Sequence, residues 1–212
     1  MSNISISQLE TIRKNPISYA KSIKDGTVEQ KSFGGRPKSV KWLESVLTYH
    51  ATSDISKAID NLEQAFSNRQ ETRANLRELE KLINALDNYV DEYTKSGYIF
   101  IDKKINMDIP ITKTLKLTGW IWLIYLKPDT GCAGFIVSKE INEMKWNLEL
   151  RFPIIQDYLA TKVYGYNSKD VDVGLIDFQT GKLYTNSFSE IEISDSLLEF
   201  EQIKSKMKKV LK

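Results

Sequence analysis

Cysteine and histidine are each present once, as Cys132 and His50. A lone thiol excludes an internal disulfide, and one thiol with one imidazole falls short of a structural zinc or iron–sulfur ligand set. The expected setting is therefore reducing and cytoplasmic. Long apolar runs are also missing, since the longest, Trp120 to Leu126, is about a third of the roughly 20 residues a membrane helix needs. The first residues lack the charged-then-apolar layout of a signal peptide, so neither membrane nor secretion is expected. Internal repeats, phosphate-cradling glycine loops and nucleophile elbows are absent.

What is there is ordinary for a globular chain: 212 residues, 41% hydrophobic and 27% charged, with a net charge of +2. Domains commonly run to about 100–200 residues, so residues 1–212 are read as one domain with an insertion. Charge is uneven along it. Residues 1–53 carry eight basic and four acidic groups, whereas residues 54–96 carry six and nine. A basic N-terminal part of helices and a turn thus precedes an acidic helical insertion, with a core over 97–212. The spacing predicts a helix from Ser5 to Lys24, ended by Asp25-Gly26, and a turn at Phe33-Gly34-Gly35-Arg36-Pro37. A second helix follows from Ser39. Lys31, Arg36, Lys38 and Lys41 gather at this turn and are the candidate nucleic-acid contacts. From Asp54 two apolar stripes, Ile55 to Phe66 and Leu76 to Tyr93, form a helical hairpin, because one straight helix would extend about 60 Å. The stripe is read as a packing face.

After Gly97 the pattern turns to strands. Tyr98 to Asp102, Lys104 to Ile111, Leu115 to Leu126 and Ala133 to Lys139 form a meander. Trp146 to Arg151 reads as a short strand or extended entry, and Pro153 suits the first turn of a helix. Val171 to Phe178 and Leu183 to Phe188 make a closing hairpin. Ser194-Asp195 is the expected cap of a last helix whose lysines complement its dipole. The fold class is α/β, a mixed sheet flanked by helices.

That order, with certain short motifs, resembles the RecB-type branch of the PD-(D/E)XK nuclease superfamily. Ser5-Ile6-Ser7-Gln8-Leu9 and Asn15-Pro16-Ile17-Ser18-Tyr19 look like its opening helix, although the histidine expected after Phe33-Gly34-Gly35 is missing. Leu117-Thr118-Gly119-Trp120-Ile121-Trp122 and Gly134-Phe135-Ile136-Val137-Ser138-Lys139 stand where the family carries Gly-x-x-Asp and Asp-x-Lys. Gln156 and Tyr158 resemble its Gln and Tyr, two residues apart instead of four. The resemblance implies a restriction-endonuclease-like fold. In such sites two carboxylates hold magnesium or manganese while the lysine activates water beside a phosphate. Trp122 and Val137 replace both aspartates and offer no oxygen ligand. Lys139 alone meets phosphate as a point charge, which adds it to the nucleic-acid contacts. The candidate remnants are Lys139, Glu140, Glu149, Gln156 and Tyr158, with no metal ligand and no cofactor. Strand alternation turns Glu140 away from Lys139, and Glu140 and Glu149 are preferred as solvated surface.

Trp120 and Trp122 share a strand face, as core or as a stacking platform. Gly34-Gly35-Arg36-Pro37 looks like an AT-hook fragment. Gln156 reads as a relic contacting nucleic acid or as solvent-facing, and His50 as a cap or surface residue. The leading expectation is a catalytically inactive nuclease-fold protein that binds nucleic acid or serves as a non-catalytic subunit of a nucleic-acid-processing complex. The alternatives are a divergent magnesium- or manganese-dependent nuclease with relocated carboxylates, and a protein-interaction module using the hairpin.

Overall fold

The computed structural model describes residues 2–27, 38–67, 72–128, 131–138 and 145–212. Its centre is a six-stranded mixed sheet: β1 (Ser2–Ser5), β2 (Ile99–Pro110), β3 (Leu115–Leu126), β4 (Cys132–Ser138), β5 (Val171–Asp177) and β6 (Leu183–Asn186). The expected meander is present, with β2, β3 and β4 antiparallel in turn. However, Tyr98 to Asp102 and Lys104 to Ile111, expected as separate strands, are the single strand β2, its register shifted between Phe100 and Asp102. The chain then crosses over through a helix, so β5 lies parallel to β4, and β6 returns antiparallel.

Strand β3 holds three partners. Along one edge it pairs with β2 from Lys116 to Leu126. On the other edge β1 pairs parallel at Leu115–Thr118, and β4 pairs antiparallel only at Leu123–Leu126. Beyond the Leu123↔Phe135 pair, Ile136 to Ser138 continue in register with β5 alone. Strands β3 and β4 therefore fork, and residues 119 to 122 lie in the gap between β1 and β4.

Helices cover the two faces unequally. Helices α1 (Leu9–Lys14), α2 (Pro16–Lys24), α6 (Arg151–Tyr158) and α7 (Glu190–Leu211) join one apolar core with Leu117, Ile121, Ile124, Ile136 and Val173 of the sheet. Helices α3 (Lys38–Thr52), α4 (Ile55–Phe66) and α5 (Arg73–Ser96) build the second against Leu123, Tyr125, Phe135 and Ile176. The expected hairpin is α4 and α5, and its stripe is indeed a packing face: Leu62, Phe66, Leu82, Leu86 and Tyr89 are buried. Asp54 caps α4 by accepting from Ser56 and Lys57. Gly97, at φ 70°, ends α5 in the left-handed region that glycine adopts without a Cβ clash. At Gly181 the β5–β6 turn sits on α5, where a Cβ would lie 2.0 Å from the Ala85 carbonyl oxygen.

Four more sequence expectations are corrected. The opening helix is preceded by β1 and broken at Asn15, because Asn15 caps Ser18 and Pro16 starts a new helix. Ser5, where that helix is expected to begin, caps only a short 3-10 turn, Ile6–Gln8, with Gln8 completing a capping box. Trp146 to Arg151 is no strand: Trp146–Leu148 is a 3-10 turn and α6 starts at Arg151, with Trp146 packed edge-on to Phe152 at 4.8 Å. Helix α7 starts at Glu190, before Ser194-Asp195, because Ser189 and Glu192 form a capping box that satisfies both end donors.

Candidate nucleic-acid-binding surface

Both residues that stand in place of the expected aspartates flank the fork. Trp122 and Val137 are half-buried and pack against the α3–α5 core. Alternation along β3 slips there: Ile121 and Ile124 enter one core, whereas Trp122, Leu123 and Tyr125 meet the other. Across the β2 ladder, between the Lys103↔Leu123 and Ile105↔Ile121 pairs, lies Lys104 at φ 56°. A non-glycine residue in that region carries strain, which neighbouring structure must hold in place.

The slip leaves an uncovered half-face. Trp120 is 42% exposed, and its ring lies 6.1 Å from Trp122 at 31°. The Lys104 ammonium rests 3.8 Å from the Trp120 ring centre and 5.2 Å from that of Trp122. Lys116 and Asp108 continue this face as an ion pair at 2.6 Å. The other two indoles, Trp42 and Trp146, are buried. Of the two readings for the pair, Trp120 is thus surface and Trp122 is partly core.

The remaining candidates are placed as follows. Lys31, Arg36, Lys139 and Glu140 lie outside the described residues, as does the glycine turn. Lys38 is salt-bridged to Glu78. Lys41 donates to the Ala65 carbonyl at 2.5 Å and lies over Phe66, so both are engaged within the α3–α5 layer.

Glu149, expected as solvated surface, is half-buried and ion-paired with Arg151 at 2.5 Å. Burial raises its pKa, and Arg151 opposes the shift. Gln156 is neither solvent-facing nor within reach of a ligand: it is fully buried. Its amide nitrogen donates to the carbonyls of Ser168 (2.8 Å) and Phe188 (3.0 Å), and its oxygen accepts from Phe188 N–H (2.8 Å). It ties α6 to the segment leading into α7. The Tyr158 hydroxyl donates to the Asn106 carbonyl at 3.4 Å.

His50, expected as a cap or surface residue, is largely buried instead. Its Nε2 lies 2.6 Å from the Tyr89 hydroxyl, which lies 2.5 Å from that of Tyr125. Burial pushes the Cys132 thiol up to about 11, which keeps it protonated and poorly reactive.

Among the described residues, no group of three or more His, Cys, Asp or Glu side chains is placed to hold a metal ion. Nor is any described helix long and apolar enough to cross a membrane. No protein-family model matches the chain, and comparison with curated proteins finds no match.

Proposed function

We propose that the chain acts by binding single-stranded nucleic acid on the uncovered half of its sheet, as a catalytically inactive relative of the RecB-type nucleases. The observation that carries this reading is the Trp120–Trp122 pair beside Lys104. Stacking of a base on an aromatic ring contributes about 1–3 kcal/mol, more than the roughly 0.5–1 kcal/mol of an exposed cation–π contact. A base therefore displaces the Lys104 ammonium from Trp120, and the freed cation meets the adjacent phosphate. The fork between β3 and β4 fits the resemblance, since the family's ligand positions fall on Trp122 and Val137 at that point. Glu149 does not favour a relocated metal site, being held by Arg151. The hairpin's apolar stripe is used on its own sheet, which weakens the case for a partner helix there.

The test is tryptophan fluorescence of the full chain titrated with an oligodeoxythymidylate at low salt. Because Trp42 and Trp146 are buried, quenching reports on Trp120 and Trp122. Trp120→Ala is expected to weaken binding by about tenfold, and added salt to weaken it further. An unchanged spectrum at saturating oligonucleotide refutes the proposal.

A further inference from the structure

A cavity of about 260 Å³ opens on the side of the sheet opposite the Trp120 face, between the end of β2 and helices α6 and α7. Its walls are apolar: Ile109 and Pro110 from β2, Ile154 from α6, Leu197 and Phe200 from α7. Its polar residues are three acids, two lysines and Tyr158, and the pairing of the acids differs. Asp108 contributes from the strand edge, its carboxylate being held by Lys116 on the Trp120 face at 2.6 Å, and Glu201 is held by Lys204 at 2.5 Å. Lys204 is also drawn back over the Phe200 ring at 5.4 Å. Asp157 is the exception. It is half-buried, and among the described residues its carboxylate makes no ion pair and accepts no hydrogen bond. The Lys162 ammonium acts on it only at longer range.

The helix changes form at the same place. After Tyr158 the α-helical ladder of α6 widens into a π-helix, Leu159–Tyr164. Asp157, Tyr158 and Lys162, on either side of that transition, all line the cavity. Such widened turns occur often at functional sites. We propose that this cavity binds a small molecule carrying a protonated amine on a compact apolar body. The apolar body fills the space between Ile109, Ile154, Leu197 and Phe200, and the ammonium pairs with Asp157 near the Tyr158 ring.

The sign of the ligand follows from the lining. An anion would meet Asp157 and Glu201, with Lys204 already committed to Glu201 and only Lys162, whose side chain is exposed to water, to pair with. A neutral ligand would leave Asp157 desolvated without a partner, which is costly for a charge. A cation offsets that cost and gains from the aromatic rings as well.

The experiment uses the full chain and three probes of similar shape: phenethylamine, 2-phenylethanol and 3-phenylpropionate, with binding read by calorimetry and by the rise in Tm. Phenethylamine is expected to bind most tightly and 3-phenylpropionate not at all. Asp157→Asn should reduce phenethylamine affinity by about tenfold or more, the equivalent of one lost charge-assisted contact, while its unliganded Tm is maintained. Leu197→Trp, which fills the cavity, should abolish binding of every probe. Equal binding of the three probes, or full phenethylamine affinity in Asp157→Asn or Leu197→Trp, overturns the proposal. Oligonucleotide binding at Trp120 is read separately and decides nothing here.

Discussion

His50 gives the sharpest link between burial and a measurable curve. It is the chain's single histidine, so any imidazole titration belongs to it. The ring stacks on Phe100 at 4.3 Å and 11°, meets Tyr93 edge-on at 4.7 Å, and closes a chain of hydroxyls through Tyr89 to Tyr125. Burial lowers its pKa from 6.5 to about 4, because the charged imidazolium loses water there. Between these two values the unfolded chain binds the proton and the folded chain does not. The contribution of His50 is therefore fully present above about pH 6.5, falls as the pH drops below it, and levels off below about 4. At 1.36 kcal/mol per pKa unit, the whole change is about 3 kcal/mol.

The assay is urea unfolding of the natural chain and of His50→Gln across this pH range, together with the NMR shift of the imidazole carbon protons. Glu149 and Asp157, whose pKa values burial raises, act with the opposite sign, because the folded chain binds their protons more readily. They are present in both proteins and cancel in the difference. The expected difference curve loses about 3 kcal/mol from neutral to acid pH, with an NMR midpoint near 4. A midpoint near 6.5, or identical pH dependence in the two proteins, refutes the reasoning.

Three further outcomes are expected. Gly181→Ala should cost more than about 1 kcal/mol in urea unfolding, since its φ is +75° and a Cβ would strike the backbone of Ala85 and Tyr89. Gln156→Leu should cost several kcal/mol at about 1–3 kcal/mol for each buried group left unpaired, seen as a lowered Tm, because the Phe188 amide and the Ser168 and Phe188 carbonyls lose their partner. Trp122→Asp with Val137→Asp should lower the Tm without a rise on adding manganese, because the new carboxylates stand against the α3–α5 core.

The elements with a strong period were legible in the sequence. Strand β3 was bounded at Leu115 and Leu126, as found, and the stripes of α4 and α5 were read as a packing face, which their burial bears out. Strand β1 escaped because four residues carry no period, and its existence depends on an edge of β3 more than a hundred residues away. The onset of α7 was placed too late because Ser194-Asp195 competes as a cap, and only the reciprocal Ser189–Glu192 bonds decide between them.

The burial of His50 and Gln156 was illegible for a different reason. Both are polar residues whose partners come from elsewhere in the chain. Tyr89 and Tyr125 stand far from His50 in sequence, and Phe188 is remote from Gln156. A buried polar group is tolerated only when such partners are present, so residue type alone assigns it to the surface.

The exposed indole presents the converse case. The two tryptophans share a strand face, as the alternation predicted, but period cannot tell which half of that face a helical layer will cover. The α3–α5 layer reaches Leu123, Tyr125 and Phe135, yet leaves Trp120 42% exposed. Covering that ring would remove a large apolar surface from water at roughly 25 cal/mol per Å². The fold seals Trp42 and Trp146 and forgoes the same gain at Trp120, while holding Lys104 at a positive φ beside it. Two local departures from stability at one spot, an unburied indole and a strained lysine in contact, are the pattern expected of a binding surface, which is the reading proposed above. The prediction that Trp120→Ala weakens oligonucleotide binding without lowering stability follows directly, since a core indole would do the reverse.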